Sequence, residues 1–86
     1  MAHYLMSYQP QIKTSYRKQI TMGDLINGWL TIAHNLSEDY PGVQLWSNDR
    51  ELLLPDNIVS LDPNNIQVSL KSFGNIIGNW TVVVLK

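Results

Sequence analysis

Apolar and polar residues along this chain follow two different spacings. Met22, Leu25, Ile26, Trp29, Leu30, Ala33 and Leu36 recur at the i, i+3, i+4, i+7 spacing of an amphipathic helix. That spacing predicts a helix over residues 22–36. Thr21 stands as N-cap, and Asp24 three residues on is close to a capping box and suits the positive helix end. Asp24, Asn27, Thr31, His34 and Asn35 fall on the opposite face. Gly28 weakens the middle by about 1 kcal/mol relative to alanine. Pro41-Gly42 is a stop signal. Glu38 and Asp39 would oppose the dipole in a last turn, so the helix ends near residue 36 or 37.

The remainder reads as strand. Residues 3–8 mix aromatic and apolar side chains, and Pro10 interrupts them. Ile12, Thr14, Tyr16, Lys18 and Ile20 share one face of a second strand, and the two pieces pair as a hairpin around Gln9-Pro10-Gln11. Beyond Pro41-Gly42, residues 43–47 and 51–54 flank Asn48-Asp49-Arg50, a hairpin turn. Turn clusters at 55–57 and 62–65 bound a short strand over 58–61. Ile66, Val68 and Leu70 alternate with Gln67, Ser69 and Lys71, and residues 80–85 are almost continuously apolar. The expectation is a single α+β domain over residues 1–86. In it, one amphipathic helix packs on a small, mostly antiparallel sheet in the order β(β)αββββ.

The last strand carries apolar residues on both faces. Trp80, Val82 and Val84 point to one side, and Thr81, Val83 and Leu85 to the other. One helix covers only one sheet face. Either the strand is central with both faces covered, or its second face meets another copy of the chain. Trp46 follows Leu45, so if Val43 and Leu45 turn inward, Trp46 turns outward. Tryptophan is over-represented at binding hot spots. Trp46, Thr81, Val83 and Leu85 are therefore the candidate surface for a partner or for self-association. Trp29, on the helical stripe, belongs to the core.

Charge sharpens this picture. Only 15% of residues are charged, against about 25% in a typical soluble domain. With 44% hydrophobic residues and a net charge of −1, the chain lacks the signature of disorder and any strong field toward nucleic acid or anionic membranes. The few charges are segregated. Residues 1–20 hold Lys13, Arg17 and Lys18 with no acid. Residues 37–62 hold Glu38, Asp39, Asp49, Glu51, Asp56 and Asp62 against Arg50 alone. Tyr4, Tyr8 and Tyr16 are interleaved with the early cations, and aromatics beside cations stack bases and neutralise phosphates. Lys13, Tyr16, Arg17 and Lys18 are the candidate contacts for an anion or nucleotide.

Catalytic chemistry is thinly supplied. The chain has no cysteine, hence no disulfide and no thiolate nucleophile or ligand. His34 and Glu38 would share a face if the helix reached them, but no third metal ligand is evident, and they read as an exposed pair. No nucleophile elbow, phosphate loop, dinucleotide fingerprint or zinc-protease helix motif occurs. No catalytic residue, metal or cofactor is expected. No apolar run approaches the ~20 residues of a membrane span, and no signal peptide is evident, so the cytoplasm is the expected location. The expected function is a small non-enzymatic interaction protein of phage or plasmid type. It would form a homo-oligomer and bind a protein partner as an inhibitor or accessory subunit. The alternative is a nucleotide- or oligonucleotide-binding module using the basic, Tyr-rich N-terminal segment.

Overall fold

Asn27 and Gly28 both adopt left-handed backbone, with φ of 52° and 81°. They form a two-residue turn closed by Ile26 and Trp29, whose backbones exchange two N–H···O bonds of 2.9 Å. Asn-Gly is the dipeptide favoured in such turns, because both central residues need positive φ. Left-handed residues cannot continue a right-handed helix. In the computed structural model of the chain, which describes residues 13–86, the helix expected over residues 22–36 is therefore absent. Thr21 and Asp24 do mark a start, since the Thr21 N–H donates to Asp24 Oδ2 at 2.8 Å. What they start is a single 3₁₀ turn, Met22–Asp24.

The α+β architecture is thus corrected to an almost wholly β one. The strands are β1 (Ser15–Ile20), β2 (Trp29–Ala33), β3 (Gly42–Trp46), β4 (Leu52–Leu53), β5 (Asn57–Asp62), β6 (Asn65–Ser69) and β7 (Trp80–Leu85). A second 3₁₀ turn, Lys71–Phe73, precedes β7. This order replaces β(β)αββββ. The expected strand over residues 3–8 and its turn at Pro10 lie outside the described residues.

The segment taken for a helix has a second periodicity, and that one prevails. Leu30, Ile32, His34 and Leu36 are buried, while Thr31, Ala33 and Asn35 between them are exposed, which is the period of a strand. Two members of the helical stripe, Met22 and Ile26, are 39% and 76% exposed. Past β2 the chain bends through Asn35 and Ser37, both at positive φ. Asn64 holds the bend. Its carbonyl accepts from the His34 N–H at 2.9 Å, and its Oδ1 accepts from the Ser37 N–H at 2.9 Å. His34 itself is fully buried, and its Nδ1 accepts from the Leu36 N–H at 3.0 Å. The exposed His34–Glu38 pair is therefore also corrected.

Two antiparallel sheets result, ordered β1-β7-β3-β4 and β2-β6-β5. Their inward residues merge into one cluster. Ile20, Leu45, Val82 and Val84 come from the first sheet, and Leu30, Ile32, Ile66 and Val68 from the second. Phe73 meets Trp80 edge-on at 5.4 Å. A second sheet, not a helix, covers the inner face of the first. In β1 the face Tyr16, Lys18, Ile20 turns inward, as its alternation indicates.

Two aspartates secure the turns beside β5. Asp56 Oδ2 accepts from the Ser72 N–H at 2.8 Å. Asp62 accepts from the Asn64 N–H at 2.8 Å and from Asn65 Nδ2. Hydrogen bonds from Ser72 hold the Asp56 carboxyl below the usual carboxylate range, and those from Asn64 and Asn65 do the same for Asp62. Bonds to the charged form favour it.

Two outcomes follow from these contacts. In a helix, replacing Gly28 by alanine would stabilise by about 0.5–1 kcal/mol. Here an added Cβ would sit 2.5 Å from Lys71 Cγ and 3.0 Å from Lys71 Cα, at positive φ. Gly28→Ala should instead lose about 1–3 kcal/mol in chemical denaturation. The second outcome concerns acid. Asp56 and Asp62 have folded pKa values below their unfolded ones, so their contribution is present above the unfolded value of about 3.9. It is lost as pH falls through the folded values. The urea midpoint should therefore drop below about pH 4, and the Asp56→Asn/Asp62→Asn double variant should show a smaller drop.

Candidate functional site

The outer face of the four-stranded sheet is built in rows fixed by strand register. Gln19, Thr81, Trp46 and Leu52 lie side by side across β1, β7, β3 and β4. Arg17, Val83 and Gln44 form the next row. Val43 and Leu45 turn inward, Leu45 completely, so Trp46 turns outward as its position after Leu45 requires. Its Nε1 donates to Gln44 Oε1 at 3.3 Å, which ties the indole to its own strand.

Arg50 completes the site. It sits at φ 64° in the turn joining β3 to β4, where the Arg50 N–H donates to the Ser47 carbonyl at 3.1 Å and the Ser47 N–H to the Glu51 carbonyl at 2.8 Å. Ser47 Oγ accepts from the Asp49 and Glu51 N–H groups at 3.2 and 3.3 Å. Asn48 Oδ1 accepts from the Asn79 N–H at 3.3 Å, which fastens the turn to the start of β7. The result is a shallow groove of about 390 Å³ lined by Arg17, Gln19, Trp46, Ser47, Arg50, Thr81 and Val83. Both arginines are exposed and Trp46 is half-buried. Among the described residues no carboxylate lies within 4.0 Å of either guanidinium.

The structure joins parts of two candidate surfaces and divides the rest. Trp46, Thr81 and Val83 share the groove with Arg17. Leu85 ends β7 opposite Ser15 and Gly42 and is 37% exposed, outside the groove. Tyr16 and Lys18 lie on the other face of β1 and are half-buried. The Lys13 ammonium sits 5.3 Å from the Tyr16 ring centroid. Of the basic set, Arg17 alone reaches the outer face. Arg50 escaped sequence reasoning because acidic neighbours surround it in the chain. The available signal was its place in a tight turn just beyond an outward tryptophan.

Among the described residues no group of three or more His, Cys, Asp or Glu side chains could hold a metal ion. No described helix is long and apolar enough to cross a membrane. Fold and site together define a small two-sheet β protein with a cationic and aromatic groove on one sheet face. No protein-family model, curated protein or solved structure matches the chain.

Adjacent residues on β7 provide a direct check of this geometry. Val82 is fully buried, and Val83 lies half-buried on the outer face. Val82→Asp should abolish cooperative thermal unfolding, because it buries an unpaired charge. Val83→Asp should leave cooperative unfolding in place at a cost of about 1 kcal/mol.

Proposed function

We propose that the protein is a ligand-binding module whose groove takes a planar base carrying phosphate, as a nucleotide or as part of a nucleic-acid single strand. The observation that carries this is the convergence of Arg17, Arg50 and Trp46 on one groove. A half-exposed indole offers a π-face for stacking, worth about 1–3 kcal/mol per base. Two guanidiniums present fixed donor forks to phosphate oxygens. Gln19, Thr81 and Ser47 add hydrogen-bonding groups to the groove. The low overall charge suits a contact made by two cations and one ring, with affinity resting on stacking.

Titrating the protein with ATP and with a fluorescein-labelled oligothymidylate, followed by anisotropy at low salt, tests this and separates the two ligand forms. Two phosphate contacts imply a log–log salt slope near −1.4, at about −0.7 per single-strand contact. Trp46→Ala should weaken binding by about five- to 150-fold. Arg50→Ala should make the slope shallower by about 0.7. No binding of either ligand at low salt, or binding unchanged in Trp46→Ala, overturns the proposal.

A further inference from the structure

A second recess, of about 420 Å³, lies across the Ser47–Arg50 turn from the groove, and Ser47 lines both. Asn48, Asp49, Asn75, Ile77 and Trp80 form other parts of its wall. Strand register places it at the far end of the sheet from the start of the described chain. Ile20 pairs with Trp80 and Ser15 with Leu85, about 17 Å apart along β1. The chemistry of this recess is unlike that of the groove. Among the described residues its one charged wall is the exposed carboxylate of Asp49, where the groove has Arg17 and Arg50.

Hydrogen bonds inside the protein decide what each wall offers a ligand. Asn48 spends its Oδ1 on the Asn79 N–H, so its contribution is the Nδ2 donor. Trp80 spends its Nε1 on the Ile77 carbonyl at 3.2 Å, so its indole adds only apolar surface. Ile77 is 81% exposed, an apolar side chain that the core does not use. Between the two recesses, Ser47 Oγ accepts from the Asp49 and Glu51 N–H groups. It keeps its own proton to donate, and Arg50 stands in the same turn. A hydroxyl donor beside a guanidinium suits a phosphate oxygen.

We infer that this recess is a second subsite and that the ligand is an RNA strand of two or more nucleotides. The inference rests on the reading that the groove takes a base carrying phosphate. One base stacks on Trp46, the phosphodiester crosses the turn at Ser47 and Arg50, and the next nucleoside enters the second recess. Charge fixes this order. A phosphate in the second recess would meet the like charge of Asp49, so the uncharged part of the nucleotide goes there. Its base lies against Ile77, with the Asn48 and Asn75 amides at its edges. Asp49 accepts a hydrogen bond from the ribose 2′-hydroxyl, as carboxylates do in dinucleotide sites. That hydroxyl is the group by which a protein tells RNA from DNA.

Anisotropy at low salt with a fluorescein-labelled oligouridylate and its 2′-deoxy counterpart of equal length, with UMP and UpU as competitors, tests this. The RNA strand should bind about tenfold tighter than the deoxy strand, as expected for one hydrogen bond to a charged group. UpU should compete about tenfold better than UMP, since it alone fills both recesses. Asp49→Ala should erase the preference for RNA and leave the deoxy strand bound at least as tightly. Asn75→Ala should weaken UpU and leave UMP unchanged, and Ile77→Ser repeats that test should the first variant fail to fold. Trp46→Ala should weaken all four ligands. UMP and UpU binding alike, the two strands binding alike, or a preference for RNA that survives Asp49→Ala overturns the second subsite and leaves the groove reading in place. Absence of binding by all four ligands overturns the groove reading, and the subsite with it.

Discussion

β7 is hydrogen-bonded along its whole length to β1 and along five residues to β3, and both the core and the groove depend on that position. Its even-numbered residues Trp80, Val82 and Val84 enter the core, and Thr81 and Val83 floor the groove. The period of two that serves both faces leaves no slack. A slip of one residue would exchange the two sets, placing a threonine inside and a tryptophan outside. The last strand in the chain therefore organises the first and third. The pairing of β1 with β7 joins residues far apart in sequence, which is costly to form and cooperative once formed.

The strands beyond residue 42 were legible because their signals are local. Proline and glycine mark the boundaries, and Ile66, Val68 and Leu70 alternate without ambiguity. Residues 22–36 were not legible, because two periodicities overlap there. Met22, Leu25, Ile26, Trp29 and Ala33 satisfy a helix. Leu30, Ile32 and Leu36 satisfy a strand only if position 34 is also inside, and position 34 is a histidine. His34 is fully buried and bonded through Nδ1 to the backbone two residues on, so a polar residue occupies an apolar place in the pattern. Asn27-Gly28 held the deciding information. Read as a weak point in a helix it costs little, whereas read as a turn it excludes the helix.

The groove was half legible for a related reason. Facing follows from alternation, so the outward turn of Trp46, Thr81 and Val83 could be read from the strands. Which strands stand side by side is a long-range fact. Arg17 reaches Trp46 only because β7 lies between β1 and β3. Arg50 reaches it only because a tight turn returns the chain. Composition likewise showed basic and acidic residues separated along the chain, but the topology brings Arg50, from the acidic stretch, to Arg17 in one groove.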